Sequence, residues 1–318
     1  MSWQPTASNE VLRFRSNVVW EIRSFFRQLD FVEVHTPTLS RDTVVDRHID
    51  PIEVNGKQFD AADATFYLQT SPEFAMKRLV ASGMSAIYQI GPAFRADERG
   101  RYHNPEFTMV EWYRVGDDFL AAVELLSRLC STLLPNQKPV IESYRSAFIR
   151  KTGLDPLAAS VLELNGLSEK LGVDANWSED KDDWLNLIFS ELVQPSLGRQ
   201  APTIITHYPA SQSALAQIAP EDASVAERFE LFIDGVELAN GYHELLDSDV
   251  LVHRSVQVNA QRRNDGKPEL PVHSRLSEAM EAGLPACGGC ALGLERLIMA
   301  MLGKQRIDEV LAFPVEIA

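Results

Sequence analysis

Residues 91–114, GPAFRADERGRYHNPEFTMVEWYR, place an arginine at the end of one strand-like segment, then a charged loop, then a second strand-like segment. Before the loop, residues 86–91 carry the β-branched and aromatic side chains that suit a strand. After it, Phe107, Met109, Glu111 and Tyr113 alternate with Thr108, Val110, Trp112 and Arg114, the period of an extended chain. The pattern predicts an antiparallel hairpin with a long tip. Phe107 and Tyr113 then share a face, roughly 20 Å apart, about the length of an extended nucleotide plus a small acid. Phe107 suits stacking under a base, Arg95 suits a phosphate, and Glu111 and Tyr113 suit polar groups further along. Strand pattern does not encode function, and a surface hairpin with solvated arginines has the same spacing.

The 318 residues allow one large α/β domain or two average ones, and 45 % hydrophobic content is enough for a sizeable core. No apolar run approaches the ~18 residues of a membrane span, and MSWQPTASNE has neither a basic n-region nor an apolar h-region. The expectation is a cytoplasmic protein without membrane contact. With 30 basic against 45 acidic side chains, the net charge of −15 argues against broad binding to nucleic acid. Residues 91–114 balance four arginines with four acids, so this stretch is less negative than the rest and suits a polyanionic nucleotide. Cys130, Cys287 and Cys290 are too few for a disulfide scaffold; Cys287-Gly-Gly-Cys290 enters a predicted strand and lacks a second ligand pair, so it reads as small residues in tight space.

Along the chain, Val11, Phe14, Val18, Ile22, Phe25 and Leu29 predict a helix over 9–28 with Asn9 as N-cap, followed by a strand over 31–37. Asn55-Gly56 predicts a small hairpin between 52–54 and 58–59. Ser71-Pro72-Glu73 opens a helical pattern through Phe74, Met76, Lys77, Leu79 and Val80. Ser71 as N-cap, Pro72 at the first position and Glu73 in the first turn have sufficient structural reasons, while Glu73 also suits an ammonium group. A helix is expected over 119–134 with a break at 135–139, and uneven helical structure over 143–198 with Trp184, Leu187, Ile188 and Leu192 inward. Strands are expected at 202–207 and at 228–233 and 236–238, the latter two joined by Asp234-Gly235. Glu237 and Glu244 then bracket a strand end, where they are either exposed acids or a pair able to hold Mg²⁺ beside a triphosphate. A helix is read over 271–280. Residues 290–293 form a strand whose small residues permit close ligand approach. A helix follows with Leu294, Leu297, Ile298, Met301 and Leu302 inward, Arg296 in its first turn and Gly303 at its end.

Three segments together resemble the class II aminoacyl-tRNA synthetases, most closely the lysyl group. Helix, strand and Pro37 (about 10–37) look like motif 1; Phe94-Arg95, the loop and His103-Asn-Pro-Glu-Phe-Thr-Met109 (about 86–114) like motif 2; Gly289-x-Ala291-x-Gly293-x-Glu295-Arg296 (about 288–303) like motif 3. The resemblance implies an α+β fold, an antiparallel sheet flanked by helices in a single catalytic domain over 1–318. It implies a homodimer through motif 1. It assigns ATP to Arg95 (α-phosphate, the catalytic contact), Asp97, Asn104, Phe107 (adenine), Glu237, Leu238, Gly293 and Arg296 (the second adenine face). Asp97 stands where the family usually has Glu, so the acidic contact falls to Asp97 or Glu98. Ser71, Glu73, Tyr113, Glu244 and Ala291 are implied for the amino-acid substrate, and Glu237 with Glu244, in the pattern Glu-x-x-Asn-Gly-x-x-Glu, for Mg²⁺.

No room is seen before motif 1 for the barrel with which lysyl and aspartyl enzymes grip an anticodon, so tRNA charging is not expected. The resemblance is to the freestanding lysyl-type ligases, which implies (R)-β-lysine as the acid activated and elongation factor P as protein substrate. Ala291 stands where lysyl enzymes usually have Gly, and its methyl reshapes the amino-acid pocket. Three alternatives compete: a truncated core activating α-lysine, a small-molecule ligase resembling ammonia-dependent asparagine synthetase, and a non-catalytic regulatory paralogue.

Overall fold

The computed structural model describes residues 3–59, 64–134, 137–174 and 176–318. The chain divides into two compact units, Met1–Asp118 with Glu244–Ala318, and Phe119–His243.

In the first unit the helix Asn9–Gln28 forms as its periodicity predicts, but its N-cap is Ser8, whose hydroxyl accepts from the Val11 amide at 3.3 Å. Val18, Ile22, Phe25 and Phe26 are buried. Phe26 stacks on Tyr88 (4.6 Å, 17°) and lies 5.3 Å from Trp112, which fixes the helix to one face of the sheet. The strand expected over 31–37 contracts to Val32–Glu33, paired in parallel with Ala86–Phe94. Ala86–Phe94 and Glu106–Val115 form the predicted antiparallel hairpin, from Ala86 opposite Arg114 to Phe94 opposite Glu106. On its other side Glu106–Val115 pairs antiparallel with Cys287–Gly293. Tyr88, Trp112 and Cys290 are cross-strand neighbours on the buried, helix-covered face. Phe107, Met109, Glu111 and Tyr113 therefore share the opposite face, because successive side chains of a strand alternate.

Beside this sheet stands a small antiparallel one of Leu39–Ser40, Thr65–Leu68 and Ile52–Asn55. The hairpin expected at Asn55-Gly56 is not made: the Asn55 side chain accepts from the Lys57 amide at 2.9 Å and winds Gly56–Phe59 into a 3₁₀ turn. Ile52–Asn55 pairs with Thr65–Leu68 instead. The helix Glu73–Ala81 packs on Arg275–Gly283, and Ser248–Asn264 packs on Arg275–Gly283 as well. Leu294–Leu302 ends at Gly303, whose φ of 63° closes the helix as expected.

In the second unit Val225–Ile233 and Val236–His243 meet at Asp234-Gly235, with φ of 52° and 78°, the predicted two-residue hairpin. Thr203–Pro209 runs antiparallel to Val225–Ile233, and Val140–Ser143 runs parallel to Thr203–Pro209. The helix Phe119–Leu133 is present, whereas the start of the break expected at 135–139 lies outside the described residues. Trp184, Leu185 and Ile188 form the inward stripe, with Leu185 in place of the expected Leu187. The π-helical turn Phe189–Val193 then shifts the phase, so Val193 is buried and Leu192 is half-buried.

Candidate active site

Register in the first unit decides which side chains meet. Gly293 lies opposite Met109, Ala291 opposite Glu111 and Gly289 opposite Tyr113. Across the other edge Ala93 pairs with Phe107 and Gly91 with Met109. Gly91 and Gly293 flanking Met109, with Ala93 beside Phe107 and Ala291 beside Glu111, leave room for a ligand lying along the strand.

At the Tyr113 end the site is acidic and buried. Glu73, Lys77, Glu111, Tyr113 and Glu244 are each at most 8 % exposed. Lys77 Nζ lies 2.5 Å from Glu73 Oε1 and 2.5 Å from Glu244 Oε2, and 5.9 Å from the Tyr113 ring centroid. Tyr113 donates to Glu111 Oε1 at 2.6 Å, and Ser71 donates to Glu111 Oε2 at 2.7 Å. Ser71 Oγ also accepts from the Glu73 amide at 3.1 Å, but the N-cap of the helix is Pro72 and not the expected Ser71: the helix begins one residue later, at Glu73, and carries no side-chain cap. Glu73 and Glu244 thus share the Lys77 ammonium, while Glu111 is held by Tyr113 and Ser71.

Titration follows from this crowding. Burial, reinforced by Glu73, pushes Glu111 up to about 7. Burial pushes Glu244 up to about 8 against the pull of Lys77. Burial alone would lower Lys77, yet the Glu244 and Glu73 carboxylates outweigh it and hold the ammonium charged.

Gly289 explains why this end is so close-packed. A Cβ there would collide with Glu244 Oε1 and the Tyr113 ring, standing 2.6 Å from Cδ1. Neither Lys77 nor Gly289 was a candidate from the sequence. Lys77 read as a helical residue, although its i,i+4 spacing from Glu73 was the available signal.

At the other end Arg95 lies over Phe107, Cζ 5.1 Å from the ring centroid. Glu98 Oε1 accepts from Arg95 Nη1 at 3.0 Å, while Asp97 is exposed, so of the two acids Glu98 meets the arginine. Arg296 reaches the same loop: Nη2 lies 2.6 Å from His103 Nε2, and Nε donates to the Tyr102 carbonyl at 3.3 Å. Burial, then the Arg296 charge, lowers His103. Asn104 spends its side chain on the chain itself, donating to the Glu106 carbonyl (2.6 Å) and accepting from the Val315 amide (3.1 Å). Buried Glu295 ties three segments together: Arg15 Nη2 lies 3.0 Å from its Oε1 and the Thr108 amide donates to its Oε2 at 2.9 Å.

Glu237 and Leu238 belong to the second unit, on Val236–His243. A one-residue bulge between Glu237 and Ala239 buries both Leu238 and Ala239, so the Leu238 side chain points into the core. Glu237 is half-buried. Among the described residues no group of three or more His, Cys, Asp or Glu is placed to hold a metal ion. Glu244 does not suit Mg²⁺, a cation of oxygen-rich octahedral sites, because its buried carboxylate is engaged by Lys77.

A helix-backed sheet thus carries an arginine–aromatic pair at one end of a strand and a buried cluster of carboxylates at the other. The chain belongs to the family of tRNA synthetases class II (D, K and N), whose model matches residues 1–317. It is 45 % identical over 320 residues, covering all of this chain and 98 % of the relative, to proteins named elongation factor P–(R)-β-lysine ligase from Yersinia pestis (strain Pestoides F) and Yersinia pseudotuberculosis serotype O:1b (strain IP 31758).

Proposed function

We propose that this protein activates (R)-β-lysine with ATP and transfers it to a lysine ε-amine of elongation factor P, within one catalytic domain over 1–318. The observation that carries the reading is the buried receptor of Glu73, Glu111 and Glu244 at the Tyr113 end of a strand whose other end carries Phe107 and Arg95. The relatives named for this reaction match the chain over its whole length.

The substrate carboxylate attacks the α-phosphorus of ATP and pyrophosphate leaves; the ε-amine of the partner protein then attacks the mixed anhydride and AMP leaves. Arg95 stabilises the charge developing on the α-phosphate, and Phe107 with Arg296 holds the adenine. No nucleophile of the protein is needed. Glu73 and Glu244 take the two substrate ammonium groups, with Tyr113 orienting Glu111 beside them. Mg²⁺ would neutralise phosphate charge when bound. A cytoplasmic homodimer without tRNA charging completes the proposal. Among the described residues no helix is long and apolar enough to cross a membrane.

The test is amino-acid-dependent exchange of pyrophosphate into ATP with (R)-β-lysine, α-lysine and aspartate. Exchange strongest with (R)-β-lysine supports the reading; preference for α-lysine points to the truncated synthetase core, and no exchange points to a regulatory paralogue. Ala291, half-buried opposite Glu111, is a direct probe of that choice. Ala291→Gly is expected to raise α-lysine exchange relative to β-lysine, by an amount within the ~10–200-fold that one methyl commands in a pocket; an unchanged ratio would remove Ala291 from the argument.

A further inference from the structure

Lys77 is a charged side chain only 2 % exposed, placed behind the two carboxylates assigned to the substrate amines. It sits on the helix Glu73–Ala81, one turn after Glu73, and reaches across to Glu244, 171 positions along the chain from Glu73 by residue number. Burying a lysine is unfavourable unless it is paired, and here it is paired twice. Each contact uses one oxygen: Glu73 Oε1 and Glu244 Oε2. The orientation of both carboxylates, and therefore the distance between them, is fixed through a single ammonium nitrogen. The second oxygen of Glu244, Oε1, is held against the position where a Gly289 side chain would project, beside the Tyr113 ring.

We propose that Lys77 is a specificity-determining positioning residue: an internal ammonium clamp between Glu73 and Glu244 that sets the spacing of the two ammonium groups a bound diamino acid must present. The inference rests on the reading of Glu73 and Glu244 as amine receptors. Without the clamp the carboxylates would repel each other and take several orientations, so substrates of different chain length would fit about equally.

The experiment is pyrophosphate exchange by wild type, Lys77→Met and Lys77→Arg with (R)-β-lysine and with its homologue one methylene shorter, the KM for ATP measured in parallel. Wild type should favour (R)-β-lysine by at least ~10-fold. In Lys77→Met the amino-acid KM should rise and that preference fall to within about threefold, while the KM for ATP stays within about twofold. Lys77→Arg, which keeps the charge but moves it outward, should shift preference toward the shorter substrate. A folded Lys77→Met that keeps the full preference would overturn the proposal, as would a parallel loss of ATP affinity. Should neither variant fold, the wild-type protein crystallised with (R)-β-lysine decides: the Lys77 ammonium must remain paired with both carboxylates, and a withdrawn Lys77 refutes the clamp. Absence of exchange by wild type with any diamino acid would instead overturn the amine-receptor reading beneath it.

Discussion

Gly289→Ala probes the packing of the amine end with the smallest possible change. The new Cβ would stand 2.6 Å from Tyr113 Cδ1, whereas ordinary van der Waals contact begins at 3.4 Å, so the ring or the strand must move by about 1 Å. Tyr113 cannot move without loosening its 2.6 Å bond to Glu111, and Glu244 is pinned to Lys77. A misplacement of that size costs about 10²-fold in reactivity, or ~2.7 kcal/mol of transition-state stabilisation. The overpacking itself costs about 1–3 kcal/mol of stability. Pyrophosphate exchange should therefore show kcat/KM for (R)-β-lysine reduced ~100-fold with the KM for ATP nearly unchanged, since Phe107 and Arg95 lie at the other end of the strand. An alanine variant with unaltered amino-acid kinetics, or one that loses ATP and amino acid equally, would refute the assignment of the two ends.

Three further outcomes are expected. Glu98→Gln should raise the KM for ATP several-fold by releasing Arg95, whereas Asp97→Asn should leave it near wild type; the opposite ranking would return the acidic contact to Asp97. Arg95→Ala should lower the exchange rate ~10²–10³-fold, as removal of an oxyanion-stabilising donor does, with the amino-acid KM little changed in steady-state assays. Glu111 is held up to about 7 in the folded chain from an ordinary 4.5, so the native state binds its proton more tightly than the unfolded state. The resulting stability is fully present below pH 4.5 and is lost as pH rises through 7. Thermal melts of the substrate-free protein should fall across that window, and Glu111→Gln should flatten the profile; an equally steep profile in the variant would deny Glu111 that part.

The hairpin is legible because β-branched and aromatic residues flank a charged tip, even though Met109 to Tyr113 are buried on both faces. Its register, from Ala86 opposite Arg114 onward, then placed Phe107, Glu111 and Tyr113 on one face. The helix Ser248–Asn264 left no such trace: its buried residues are Leu251, Ser255, Asn259 and Arg262, a stripe mostly polar. Arg262 is fully buried because its guanidinium donates to the Pro268 and Asp46 carbonyls and to the Asp50 carboxylate, and Asn259 exchanges two bonds with Leu270. Hydrogen-bonded burial of this kind carries no hydrophobic period to read. Lys77 was hidden for the same reason, since a lysine in a helix is ordinarily solvated and only the position of Glu244 turns it inward. Glu244 reads from the sequence both as metal ligand and as amine contact, and neither reading anticipates its pairing with Lys77.

The most direct measurement is the mass of purified elongation factor P after incubation with this protein, ATP and (R)-β-lysine. The account predicts a gain of one β-lysyl residue on a single lysine, dependent on ATP and abolished by Arg95→Ala. An unmodified factor, alongside robust adenylate formation or aminoacylated tRNA, would contradict it.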